Sequence, residues 1–429
     1  MRACFVLSLL FTLFLAPSTA LTGVTSQGEL GVSGRAFLPD HNDDSEDWGL
    51  TVNSRLRADL KYKPCRARVR IFGRVDSQDS ERSFLTLEEA WFQIGNRTMT
   101  LRAGFDMVNW TVTEAFHPAD IVNSRNLDSD LQNHEKLGEP SIRLRWRYGE
   151  GAWVGYFMPT FIKPNFPSPS SRLNFFSQIG GATYQIARVH EKGTIHSDDD
   201  AYPWIPQGAI RWNHAFEDLD LSFHVVHHLD RSLGWPALHA NTRDPHLLFH
   251  PQTQIGGTLQ WAFEGLLTKV EWAAKRTWLS EDKKYYLPFG HPAKAYGLLA
   301  LGFEYSLSHG NGSESTLLME GQSVVGISRS QARELEIFQG DVLLAYRHAF
   351  NDASSREIRL SMLGDVEYFN GLILGAHYQE RLWDDFVISV DLQLFYAEKS
   401  PEHNEPDFKR SLSGLRDSDY IQVAMTRYF

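Results

Sequence analysis

The arginines of this chain are spaced in a way that bears on chemistry. Arg55 and Arg57, then Arg66, Arg68, Arg70 and Arg74, then Arg102, then Arg143, Arg145 and Arg147 recur mostly at every second position within short segments. A period of two puts each run on one face of an extended strand. A guanidinium stays charged throughout the accessible pH range and carries five donors, so a wall of such runs attracts anions. Side by side the runs repel one another, and they need water, counter-ions or carboxylates nearby. Asp59, Glu88, Glu89 and Asp106 are placed to serve. The sequence leaves two outcomes open, an anion-attracting wall and a wall braced by internal ion pairs, and both can hold together.

Other reactive residues form no pattern of comparable strength. Histidines gather at His224, His227, His228, His239, His246 and His250, near Asp230 and Asp244. On a strand, His227 and His228 point to opposite faces. His224 and His228 share a face about 13 Å apart, too far to hold one ion. No metal site is expected, and no cofactor. A hydrolytic barrel would need a nucleophile, a histidine and an acid held together; no Gly-x-Ser-x-Gly is present. An enzyme is therefore the weakest of three functional classes. Cys4 falls in the leader and Cys65 stands alone after it, so no internal disulfide is expected.

The elements that must position the arginines are strands with one apolar face. In the run 48–62, Leu50, Val52, Leu56, Ala58 and Leu60 alternate with Asn53, Arg55, Arg57, Asp59 and Lys61. The run 141–148 sets Ile142, Leu144 and Trp146 against its arginines. Alternating runs recur at 27–38, 48–62, 66–75, 84–94, 99–106, 141–148, 153–158, 209–216, 219–228, 254–263, 267–275, 295–306, 315–320, 339–350, 357–367, 372–380, 386–396 and 420–429. The set predicts an all-β fold, a transmembrane antiparallel up-and-down β-barrel of about 18 strands. In the last run Ile421, Val423, Met425 and Phe429 share a face, and its free edge must close on another strand of the chain. Short polar turns such as Lys63-Pro64, Glu217-Asp218, Glu264-Gly265 and Asp384-Asp385 alternate with long stretches at 109–138, 160–206, 229–252, 277–293 and 398–418. That rhythm places the short set on one side of a bilayer and the long set on the other.

Composition agrees with a barrel and excludes other classes. No apolar run after residue 20 is long enough for a membrane-spanning helix, and mean hydropathy is −0.33; a barrel needs only alternate apolar residues. Aromatics make up 13% with twelve Trp, a supply suited to interfacial girdles. A net charge of −11 argues against nucleic-acid partners. Residues 1–20 read as a secretory signal peptide, with Arg2, an apolar core and Ser18-Thr19-Ala20. The expected division is therefore 1–20 leader and 21–429 barrel. Outer-membrane lipid is the expected surrounding, and homo-oligomerisation is left open.

Residues 85–159 carry a resemblance. They contain LTLEEAWFQIG, LRAGFDMVNWTVTEAFHPADIVNSRNL and EKLGEPSIRLRWRYGEGAWVGYFMP. This pattern resembles porin-like outer-membrane proteins related to alginate-export channels, with Trp110-Thr111 standing where that family carries Trp-Gly. The resemblance implies a bacterial outer-membrane location and an anion-conducting pore, without naming the solute. The sequence thus predicts a passive diffusion channel with a basic wall for small or polymeric anions. Its rivals are a structural or adhesive barrel whose long loops bind a partner, and a barrel enzyme. The stretch 160–206 carries Phe175, Phe176, Ile179, Tyr184, Ile186 and Val189 between prolines, and either folds inward to narrow the pore or packs on neighbouring loops.

Overall fold

The computed structural model describes residues 23–429 except 39–46, 81, 130–134, 169–170, 175–194, 197–203, 233, 244, 280–284, 289, 398–411 and 417. The leader lies outside these residues, as do the six apolar residues singled out in 160–206. Eighteen long strands form one sheet: β1 (Val24–Phe37), β2 (Trp48–Tyr62), β3 (Cys65–Asp76), β4 (Phe84–Gly95), β5 (Met99–Asp106), β6 (Glu139–Tyr148), β7 (Gly151–Thr160), β8 (Trp204–Phe216), β9 (Leu219–Leu229), β10 (Pro251–Phe263), β11 (Leu266–Thr277), β12 (Ala295–Ser308), β13 (Glu314–Val325), β14 (Gly340–Ala349), β15 (Glu357–Asp365), β16 (Gly371–Leu382), β17 (Phe386–Ala397) and β18 (Tyr420–Tyr428). Each pairs antiparallel with its sequence neighbour, and β18 pairs back onto β1 from Glu29↔Tyr428 to Phe37↔Tyr420. Gly28 and Phe429 exchange backbone hydrogen bonds of 2.8 and 3.0 Å at that seam. The sheet is a closed 18-stranded antiparallel barrel, as the alternation predicts.

Several strands outrun their apolar patterns. β8 starts at Trp204 rather than 209, and β13 runs to Val325 rather than 320. Their ends carry Gly, Pro or polar residues that resemble loop in sequence yet continue the ladder. Tight turns close the short-loop end; at Glu264-Gly265 both residues have positive φ, 44° and 85°, the geometry that matches strand twist in a two-residue hairpin. The other end carries the long connections. They include a small sheet of Ile195–His196, Trp235–His239, Pro245–Phe249 and Tyr285–Tyr286, and one helix, Arg329–Leu335.

The outside of the barrel is apolar. Leu50, Val69, Leu101, Ile142, Leu144, Ile210, Ile255, Leu301, Leu360 and Val423 are all exposed there. Aromatics bound this belt: Tyr62, Trp153, Trp261, Phe263 and Trp383 toward the short turns, Trp48, Trp204, Trp278, Phe369 and Tyr396 toward the long loops. A surface so apolar and so bordered suits hydrocarbon, not water. No described helix is long and apolar enough to cross a membrane.

The interior corrects one expectation. On the far wall the sequence sets Lys269, Glu271 and Lys275, then Arg359 and Ser361, His377 and Gln379, and Ser389, Asp391 and Gln393 on the inward face, which reads as a polar channel lining. It holds near the short turns, where Arg359, Ser361, His377, Gln379, Ser389, Asp391 and Gln393 are partly or fully exposed. Toward the long loops the inward residues are instead Tyr296, Leu298, Ala300, Val324, Leu343, Leu363, Ile373 and Ala397, buried in one apolar cluster with Phe116, Trp235, Leu248, Leu335 and Leu415. The physical reason is that the long loops turn inward and need an apolar wall to pack on.

Gly104 of β5 adopts φ +129°, and a Cβ there would lie 2.1 Å from the Ala90 carbonyl oxygen. Gly104→Ala is expected to destabilise the barrel by about 1–3 kcal/mol, read as an earlier unfolding midpoint in urea with lipid vesicles.

Candidate functional site

The functional interior is built from a charged wall and a loop that crosses the lumen. The arginines of β2, β3, β5 and β6 occupy the inward face, and seven of the ten meet carboxylates within 4 Å. Arg55 binds Glu88 at 2.9 Å and also Glu29. Arg57 and Arg68 share Asp59. Arg70 lies 2.8 Å from Glu88 and 3.4 Å from Glu89. Arg102 and Arg143, opposite one another across β5 and β6, share Asp106 at 2.8 and 3.1 Å. Arg74 and Arg82 converge on Asp128, at 3.1 and 3.2 Å.

A bulge makes this pairing possible. Consecutive strand residues normally point to opposite faces, so Glu88 and Glu89 should not both face inward. The β3–β4 register slips between Arg70 and Ile71, which oppose Glu89 and Leu87, and Glu88 is the extra residue. Both carboxylates are then buried and inward, at 3% and 4% exposure, each against an arginine of β3. Trp91 donates to Glu89 at 3.0 Å, and the Arg102 guanidinium stacks 3.7 Å from the Trp91 ring centre.

Arg66, Arg145 and Arg147 differ. Among the described residues none of them meets a carboxylate within ion-pair distance. They lie in the half of the wall nearest the short turns. Arg211 of β8 joins them as a fourth basic residue without a carboxylate, bonded to Ser222 at 3.0 Å and stacked 5.1 Å from Trp110. The braced outcome therefore holds at mid-height, and the unbalanced charge sits below it.

The described residues of the segment between β5 and β6, 107–129 and 135–138, enter the barrel. At its base Asn123 accepts from the Val108 N–H at 2.8 Å and donates to the carbonyls of Asp106 and Leu137, both at 2.9 Å. Asp120 accepts from the Trp110 N–H at 3.0 Å and binds Arg125 at 2.7 Å and Lys136. Burial raises the Asp120 carboxyl, but Arg125 and Lys136 more than offset this and hold it below the usual range. Trp110, 2% exposed, packs with Val122, Val154, Tyr156 and Val226.

The tip is held from the far wall by two carboxylates. Glu271 of β11 accepts from the N–H groups of Val112, Thr113 (3.0 Å) and Ala119 (3.2 Å), and from the hydroxyls of Thr111 and Thr113 (2.7 Å). Glu320 of β13 accepts from Glu114 N–H at 2.8 Å and Ala115 N–H at 2.9 Å. Converging amides form a concave anion-binding nest, here occupied by a side chain of the same protein. Lys269 ties the Glu114 carboxylate at 3.0 Å to the same wall. The loop thus spans from β5–β6 to β11 and β13 at mid-height and narrows the bore.

The sequence left 160–206 two outcomes, folding inward to narrow the pore or packing on neighbouring loops. The described start of that stretch runs across the mouth: Ser168 donates to Asp79 at 2.6 Å, and Arg172 donates to the Leu38 carbonyl at 3.1 Å. Glu320 was not foreseen, and Glu271 was read only as lining; a lone acid on the inward face of a strand was the available signal. Among the described residues no three His, Cys, Asp or Glu side chains gather as metal ligands. His224 instead accepts its place beside Trp110 and Gln254.

Replacing Glu271 and Glu320 by Ala leaves five tip amides without acceptors. Hydrogen exchange at 112–119 is expected to accelerate at least about tenfold, while the strand amides stay protected. His117, in the same loop, bonds Thr111 at 2.8 Å; burial, reinforced by Arg125, lowers its pKa to about 4. The folded loop therefore binds fewer protons than the open one. Its closure is fully stabilised above pH 6.5 and weakens as pH falls toward 4, which tip-amide exchange across pH 7 to 4.5, corrected for intrinsic rates, will read. His117→Gln is expected to flatten that dependence.

No family model matches the chain, and no curated protein matches its sequence. Solved structures do. A crystal structure of Pseudomonas aeruginosa OccD3 (OpdP) superposes with TM-score 0.50 at 9% identity, covering 96% of this chain and 93% of that one. The outer membrane channel DcaP of Acinetobacter baumannii gives 0.47 at 9%, over 97% and 100%, and a mutant of Rh. blastica porin gives 0.43 at 11%, over 95% and 100%. At 9% identity the likeness to OccD3 is one of fold alone.

Proposed function

We propose that this protein is a passive diffusion channel of the bacterial outer membrane, with the short turns facing the periplasm and the long loops outside. The observation that carries the reading is a closed barrel with an apolar belt outside and a solvated polar half inside, narrowed at mid-height by an anchored loop. A packed soluble barrel has no use for the outer belt, and a solid plug would not leave the inward residues of β15–β17 partly exposed. Transport then follows the solute gradient and requires no cofactor or covalent step.

The preferred solutes are anions. The wall as a whole is largely neutralised, so the preference rests on Arg66, Arg145, Arg147 and Arg211 rather than on all ten arginines read from sequence. The resemblance to alginate-export channels agrees with an anionic solute and leaves its identity open. A second reading, a structural or adhesive barrel, draws support from the apolar packing of the long loops at the mouth.

Planar-bilayer recording separates the two. Steady ohmic steps are expected for the channel; silence in a correctly folded protein would favour the adhesive barrel. Under a salt gradient the reversal potential should report anion preference, and Arg145→Ala/Arg147→Ala should move it toward zero or beyond. Cation preference in the unmodified protein would defeat the assignment of selectivity to these residues.

A further inference from the structure

The lipid-facing surface carries a feature the channel reading does not use. Across β12–β15 the outward side chains Phe303, Leu317, Met319, Leu344, Leu360 and Met362 line an apolar groove of about 530 Å³. The strand register runs the groove through two successive rows, Tyr305–Leu317–Tyr346–Leu360 and Phe303–Met319–Leu344–Met362. The next row toward the short turns pairs Ser315 with His348, and its polarity on a hydrocarbon-facing surface needs an explanation.

Ser315 is the hub of that row, with 3% exposure. Its hydroxyl meets His309 Nε2 at 2.7 Å, His348 Nδ1 at 2.9 Å and the Tyr346 hydroxyl at 3.0 Å. The two imidazoles sit 5.7 Å apart. Each spends one nitrogen on Ser315, which leaves His309 Nδ1 and His348 Nε2 without a hydrogen-bond partner among the described residues. Beyond His348, Phe350 packs against it and the Arg356 guanidinium lies 5.0 Å from the Phe350 ring. An apolar channel thus runs directly into a polar row at the short-turn end of the belt; the Arg356 guanidinium beyond it is already paired with Asp352.

We propose that this groove and its polar end form a binding site for one phospholipid of the leaflet bordering the short turns. An acyl chain lies along Leu317, Leu344 and Met362, and the phosphate accepts from His309 and His348. The proposal rests on the bilayer placement above but on none of the selectivity assignment. A second copy of the chain, which offers apolar surface to the groove, is the competing occupant.

Native mass spectrometry of the intact protein, released from micelles doped with dioleoyl phosphatidylglycerol, tests it. A phosphatidylglycerol adduct should survive micelle removal, and dioleoylglycerol, lacking phosphate, should be held about tenfold less. His309→Ala/His348→Ala should lower retention by a similar factor. Leu317→Trp should fill the groove and remove the adduct, whereas Leu101→Trp on the opposite wall should leave it unchanged. Equal retention of the two lipids, indifference to both sets of substitutions, or a change in copy number without loss of lipid would overturn the site. Insertion into phosphatidylglycerol vesicles, scored separately, distinguishes the failures: insertion without the adduct removes this site alone, and failure to insert removes the bilayer placement with it.

Discussion

Backbone amides have no water to turn to in hydrocarbon, and that constraint governs this molecule. Every N–H and C=O of a lipid-facing strand must be satisfied within the sheet, and only a sheet without edges achieves this. The pairing of β1 with β18 removes the last two edges. Once closure is required, inside and outside follow from the pleat: one residue in two meets lipid and the next meets the lumen. The apolar belt, its aromatic borders and the inward arginines are consequences of that alternation rather than separate features.

Closure creates an interior that must accommodate ten arginines from β2, β3, β5 and β6. Water could solvate them, but the structure mostly uses carboxylates. Ion pairs of this kind seldom add much net stability, because desolvation offsets the attraction. Their effect here is geometric: Asp59, Asp106, Glu88 and Glu89 fix guanidinium planes across β2–β6, and Trp91 supports one of them from below. The charge left over sits toward the short turns, where the lumen is wetter. The opposite wall solves a different problem. Its outer half is apolar because the loops fold onto it, and two carboxylates at mid-height hold the crossing loop in place.

The barrel was legible in the sequence because period-two alternation and the rhythm of short and long connections are local signals. Eighteen alternating runs correspond to eighteen strands, and the misjudged ends, as in β8 and β13, are places where Gly, Pro or polar residues pair without an apolar pattern. The interior was less legible. Alternation puts Glu88 and Glu89 on opposite faces, and nothing local announces the bulge that turns both inward; it becomes visible only in the register against β3. The loop at 107–138 was recognised as long but not as the one that crosses the bore, since its anchors, Glu271 and Glu320, lie some 150 to 200 residues away in the chain. Contacts of that span leave no periodic trace.

The way Glu271 and Glu320 grip the crossing loop also bears on how such a protein can diversify. Apart from two threonine hydroxyls, they hold main-chain N–H groups, which almost every residue supplies. The loop's position is therefore nearly indifferent to which side chains it displays, and substitutions on its solvent side can accumulate while the aperture keeps its place. A fixed mount with an exchangeable rim lets discrimination among solutes drift without redesign of the barrel wall.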